Sequence, residues 1–207
     1  MEISAVNELI RQLEDSKSTK RRSAAKNLRK LKDGKAGPAL LIALKNEVED
    51  PRTWETQYQM VMALGECDHK DALPYLVELS GRPFEATMVY MALGDAIVRL
   101  SRSQPNDVSA VFDLISTGNE MLVDGGLRAI AMLRLVPSVS EITRLVEFVE
   151  RYDLNHYLRF WVLAAAPGWD GQKLEQFIAS SAASTRQDIA QAATLAQEKK
   201  YKKWQPL

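Results

Sequence analysis

Apolar residues recur along the chain at spacings of three and four, the signature of helices with one buried face. Ile3, Val6, Leu9, Ile10 and Leu13 form a first stripe, closed by Glu14-Asp15-Ser16. Ala24, Ala25, Leu28 and Leu31 form a second, ended by Asp33-Gly34. Pro38 sits just inside the next helix start, where a missing N–H costs little, and leads into Leu40, Leu41, Ala43, Leu44 and Val48. Asp50-Pro51 reads as an N-cap and first-turn proline for a helix carrying Trp54, Tyr58, Val61, Met62 and Leu64. Further helices are expected over Asp71–Leu79, Phe84–Leu100, Pro105–Ile115 and Glu120–Leu135, then from Pro137 through Val149, over Leu154–Ala166, around Leu174–Ile178, and from Ile189 to about Tyr201. Ser80-Gly81-Arg82-Pro83, Thr117-Gly118-Asn119 and Pro167-Gly168 read as the turns between them. Alternating strand patterns are nearly absent. The expectation is an all-α chain of about twelve helices, in six hairpins joined by short loops.

A fixed period would decide the architecture, because repeated hairpins stack into a solenoid. Shifting the sequence by 36 residues lays Leu28 on Leu64 and then Leu100, Pro38 on Pro74, Leu40 on Leu76 and then Phe112, and Ala43 on Leu79 and then Ile115. A shift of 33 continues the register from Leu100, Phe112 and Ile115 to Leu133, Leu145 and Phe148. Later units are shorter and fit less well. Each hairpin is too small to bury its own apolar face, so stacking neighbours complete the core.

The segment from Met60 to Leu79 has Ala63-Leu64-Gly65 followed by Leu73-Pro74-Tyr75-Leu76. It resembles the second helix of one HEAT repeat, the inter-repeat turn and the first helix of the next. Ala24-Ala25-Lys26-Asn27-Leu28-Arg29-Lys30-Leu31 resembles the same element. The resemblance to this armadillo-type family covers most of the chain. It implies a right-handed α-α superhelix of about six hairpins, a single solenoid domain over residues 1–207 whose basic end, 199–207, is a possible tail. The aspartate and arginine ladder usual in such repeats is incomplete, with Asp71 its clearest remnant. The architecture serves scaffolds, adaptors, toxin-neutralising proteins, bilin lyases and a few DNA glycosylases, so it implies little about chemistry.

Composition narrows the classes. Lys plus Arg and Asp plus Glu both number 27, so no net charge draws the chain to nucleic acid or membrane. The single cysteine, Cys67, excludes an internal disulfide framework. The first ten residues lack a signal peptide's basic start and apolar core, and no apolar run reaches the ~20 residues of a membrane helix. A soluble, cytoplasmic, monomeric protein is the expectation. Charge is nevertheless uneven. Nine bases lie between Lys17 and Lys35 against one acid, Asp33; nine acids lie between Glu47 and Glu85 against three bases. The end, Lys199-Lys200-Tyr201-Lys202-Lys203-Trp204, is basic again. An acidic middle between basic ends argues against a continuous phosphate track, so nucleic-acid binding is disfavoured.

Candidate chemistry is sparse. His69 with Asp68, Asp71 and Cys67 could be read as a metal site. Neighbouring residues seldom converge on one ion, so a polar turn with an N-cap at Asp71 is preferred. His156 has no evident nucleophile beside it, and Cys67 reads as a structural thiol. Gly125-Gly126 lies inside a helical pattern and suits close helix packing or a bend. No catalytic residue, metal or cofactor is assigned. The expected function is a protein-binding module (an adaptor, a scaffold or a toxin-neutralising immunity protein) that engages a partner, with a basic protein as one candidate. In this architecture the second helices of the hairpins line the concave face. The candidate anchors there are Trp54, Glu55, Tyr58, Asp71, Tyr90, Arg128 and Tyr157. The alternative is a repeat-family enzyme or lyase acting on a bilin or on DNA.

Overall fold

The computed structural model describes residues 5–203. Twelve α-helices account for most of them: α1 Ala5–Gln12, α2 Ser18–Leu31, α3 Gly37–Glu47, α4 Trp54–Glu66, α5 Leu73–Ser80, α6 Met88–Ser101, α7 Ser109–Ser116, α8 Glu120–Leu133, α9 Val139–Val149, α10 Leu158–Ala165, α11 Gln172–Ser181 and α12 Gln187–Gln197. The described residues contain no strand, and the chain is an all-helical, HEAT-like repeat structure. Ile3, Glu2 and Trp204 lie outside the described residues.

The chain divides into two compact units. The first comprises the residues up to Arg102 together with Ala110–Gly126; the second comprises Ser103–Ser109 and Leu127–Leu207.

In the first unit the second helices of successive hairpins pack directly and extensively on one another, α2 on α4 and α4 on α6. The 36-residue register is visible in backbone as well as side chains. Lys32 and Asp68 follow α2 and α4 and both turn the chain at φ 52°, a left-handed conformation that costs a non-glycine residue ~1 kcal/mol. A short 3-10 turn follows each, Gly34–Ala36 and Lys70–Ala72, and a proline then occupies the first turn of α3 and of α5. Leu28, Leu64, Leu40 and Leu76 are fully buried at matching places. Asp71 falls inside the second 3-10 turn, exposed, with α5 starting two residues later, so it is not the helix cap expected. In the first turn the cap is Asp33, whose carboxylate accepts the Lys35 N–H at 2.9 Å.

Three expected starts move by four residues, that of α10 from Leu154 to Leu158 among them. Helix α6 begins at Met88 rather than Phe84, because the Tyr90 hydroxyl accepts the Phe84 N–H at 3.0 Å and donates to the Arg82 carbonyl at 2.8 Å. This fixes residues 82–87 as an irregular connector. Helix α7 begins at Ser109, not Pro105, because Asp107 accepts from both the N–H and the hydroxyl of Ser103 and of Ser109. These four bonds hold the Asp107 carboxyl far below the usual carboxylate range, the Ser103 N–H contributing most.

Glycines allow α6 and the first half of α8 to approach backbone to backbone. A Cβ on Gly94 would strike the Leu122 carbonyl, and one on Gly125 the Met91 carbonyl. Gly126 faces Leu114 and Val111 side chains instead. The close packing expected for Gly125-Gly126 is therefore present.

In the second unit the left-handed turn returns at Arg134 and Lys199, after α8 and α12, and single side chains tie the connectors. Trp169 is fully buried and its indole N–H donates to the Leu135 carbonyl at 2.7 Å. Ser138 and Glu141 form a reciprocal capping box at the start of α9. Arg159 is buried, donates to the carbonyls of Asp153 (2.9 Å) and Tyr152 (3.1 Å), and lies over the Phe177 ring at 5.3 Å. Burial lowers its pKa, a cost the carboxylates of Glu150 and Asp153 oppose. Asn155 accepts the Ser184 hydroxyl and the Thr185 N–H, tying the α9–α10 connector to the α11–α12 turn. At the basic end, Lys199 donates to the Trp169 carbonyl at 2.6 Å, and Arg134 covers the Tyr201 ring at 4.4 Å.

Candidate partner-binding surface

The charge blocks of the sequence face each other. On adjacent helices α2 and α4, Arg22 pairs with Glu55, Arg29 with Glu66 at 3.2 Å, and Lys32 with Glu66 at 2.9 Å. Arg21 grips the buried Glu47 of α3 with two bonds of 2.6 and 2.8 Å, and also donates to the carbonyls of Asp15 and Ser16. The Glu47 bond raises the Arg21 pKa above its ordinary value. Further along, Asp95 and Arg99 are both buried on α6 and pair at 2.5 Å. Burial penalises the Arg99 charge, but the Asp95 carboxylate more than offsets this and the net shift is upward. Much of the dipole legible in the sequence is thus consumed inside the first unit, as a seam between neighbouring helices.

Of the residues expected to be anchors, several are elsewhere than on a surface. Tyr58 is only 9% exposed and belongs to the core; its neighbour one turn earlier, Trp54, is 37% exposed because it opens α4 and overlooks the connectors. Arg128 is 8% exposed and lies over the Trp161 ring at 6.0 Å, so it supports packing in the second unit. Glu55 is exposed but paired with Arg22. Tyr90 is half-buried, holds the 82–84 connector and meets the Phe84 ring edge-on at 5.4 Å. Tyr157 is half-buried just before α10 beside His156, their ring centroids 4.5 Å apart, and Tyr152 stacks on the same imidazole at 4.0 Å. Asp71 is exposed in its turn.

The remaining chemistry-bearing residues are structural in their surroundings. The His69 ring rests against Gly37, so that any side chain at Gly37 would collide with it. Cys67 is buried, its thiol 3.8 Å from the Leu28 carbonyl, and burial with nearby Asp33 and Glu66 pushes its pKa up to about 11. Among the described residues no group of three or more His, Cys, Asp or Glu is placed to hold a metal ion.

What does open to solvent beside Trp54 is a groove of about 450 Å³ at the loop edge of the second and third hairpins. Its walls are Val48 and Pro51 before α4, Trp54 and Gln57 on α4, Leu79 at the end of α5, and the connector Arg82 to Ala86. Gln57 is 1% exposed, and its Nε2 donates to the carbonyls of Glu47 at 3.2 Å and Asp50 at 2.9 Å. Its Oε1 is left without a hydrogen-bond partner. Arg82 is shared between Glu78 at 2.9 Å and Glu49 at 3.9 Å. The sequence marked Arg82-Pro83 only as a turn. The signal that Phe84 and Glu85 join Trp54 was the 36-residue register, which sets successive hairpins, and so their connectors, side by side.

A second groove, of about 520 Å³, runs between α1 and α3 with Ile10, Leu13 and the 64% exposed Ile42 on its apolar side and Glu14, Asp15 and Asp50 on its polar side. In both places the first helices of successive hairpins stand apart while the second helices touch.

Compared with known proteins, residues 20–46 match the family model described as PBS lyase HEAT-like repeat. That span takes in most of α2, the 3-10 turn and nearly all of α3. No curated protein and no solved structure matches the chain. The chain therefore carries a HEAT-like repeat, and no helix among its described residues is long and apolar enough to cross a membrane.

Proposed function

Taking this chain as a HEAT-like helical repeat protein, we propose that it is a protein-binding module, an adaptor, scaffold or immunity-type protein rather than an enzyme. The observation that carries the reading is the preformed groove bordered by Trp54. An exposed indole over a half-apolar cleft is the kind of anchor that dominates protein interfaces. The cleft's connector is held by the Tyr90 hydroxyl before any partner arrives, which lowers the ordering cost of binding.

The test is to cross-link the full chain in native cells and measure the purified complexes by native mass spectrometry. One partner protein in fixed stoichiometry is expected. A chain recovered alone, under conditions that preserve other complexes in the same cells, would overturn the reading.

A further inference from the structure

The groove beside Trp54 has features that select its occupant. Its apolar wall, Trp54 with Phe84 and Leu79, suits one aliphatic or aromatic side chain. Behind that wall Gln57 is closed off from solvent, its Nε2 committed to the Glu47 and Asp50 carbonyls. Around it the charge is acidic. Glu85 lines the groove, Glu49 and Glu78 stand at Arg82, and the one guanidinium serves both of them. The nearby Arg52 is spent on Asp50, at 2.9 and 2.8 Å.

We infer that this groove receives an extended, basic segment of a partner protein: an apolar side chain lies against Trp54 and Phe84, and a flanking Lys or Arg meets Glu85 and Glu49. The inference rests on the protein-binding reading above and sets the chemistry of what is bound. An acidic segment would meet Glu49, Glu78 and Glu85 with like charge. A fully apolar one would leave Glu85, and the excess of Glu49 and Glu78 over the single Arg82, without a counter-charge.

The experiment pans a phage-displayed library of short random peptides on the full wild-type chain. Selected sequences are synthesised and titrated while the Trp54 indole N–H resonance is followed. The expected peptides place Lys or Arg beside a Leu, Phe or Trp, shift that resonance, and bind more weakly as salt is raised. Trp54→Ala and, separately, Glu85→Lys should each weaken binding about tenfold or more. Glu85→Lys lies on an exposed connector, so it remains informative if Trp54→Ala destabilises the chain; circular dichroism reports the fold of both. Ile42→Ala, in the other groove, should change nothing. Enrichment of acidic sequences, equal binding to Glu85→Lys, or no enrichment at all would overturn the inference. A cellular partner that binds wild type and both groove variants alike would overturn it too, while leaving the protein-binding reading intact.

Discussion

The two units are built by different means. In the first, the same places in successive hairpins do the same work: Leu28 and Leu64 fill the core, Lys32 and Asp68 reverse the chain, and arginines of α2 meet glutamates of α4. In the second, Arg134 and Lys199 still reverse the chain, but individual side chains hold particular connectors, as Trp169 does for Leu135, Arg159 for Tyr152 and Asp153, and Asn155 for the turn before α12. A repeated device spreads stabilisation over many modest contacts. A single tie concentrates it. Damage should therefore be local and severe in the second unit and diffuse and mild in the first.

The largest effect should come from Trp169→Ala. It empties a fully buried indole site and orphans the Leu135 carbonyl, costing about 4 kcal/mol in urea unfolding. Hydrogen exchange should accelerate first in residues 127–207, and uniform acceleration across the chain would break the contrast drawn above. Next, Gly125→Ala should cost about 3 kcal/mol, because the new methyl meets the Met91 backbone and α6 and α8 must separate. Gly126→Ala, facing side chains that can shift, should cost about 1 kcal/mol. Equal effects in urea melts would mean that the backbone approach is not what ties these helices.

Arg21→Ala should cost about 2–3 kcal/mol, since it leaves the Glu47 carboxylate buried without its cation, whereas Arg21 and Glu47 replaced together by Met and Leu should recover much of the loss. Arg22→Ala, removing a solvent-facing partner of Glu55, should cost no more than about 0.5 kcal/mol. Comparable losses in the two single variants would erase the distinction between the seam's buried and exposed rungs. The smallest effect is on acid stability. Asp50 is held at a pKa of about 2 by the Arg52 side chain and N–H, and Asp107 is depressed by its four serine bonds. A carboxylate depressed in the folded state contributes stability that is fully present above its unfolded pKa near 4 and is lost as pH falls through the folded value. Asp107→Asn should therefore flatten the decline in melting temperature below about pH 4, more than Asp50→Asn does.

The hairpin register was legible because burial and chain reversal both follow it. Leu28 and Leu64, or Pro38 and Pro74, report the same backbone geometry twice. Helix starts were legible only where a proline or apolar stripe marks them. Phe84–Thr87 continues a helical pattern of apolar residues, but a distant hydroxyl, Tyr90, claims its backbone. The site was half legible. Trp54 stood out by type, and Tyr58 was grouped with it because residues four apart share a helical face. That rule weakens at a helix's first residue, where Trp54 looks over the connectors while Tyr58 already faces inward. The acidic and basic blocks were visible as composition. Their mutual neutralisation needed the additional step of laying α2 against α4.

The left-handed residues at Lys32 and Asp68 delimit a cassette, residues 33–68, whose two ends have the same backbone geometry. A second copy spliced in after Asp68 would meet compatible turns, a first-turn proline and matching core positions. Its helix would nevertheless bring Glu55 and Glu66 of the copy against Tyr58, Gly65 and Asp68 of the original, at the places where the natural order has Arg22, Arg29 and Lys32. The backbone makes the units interchangeable, and the charged seam gives each an address.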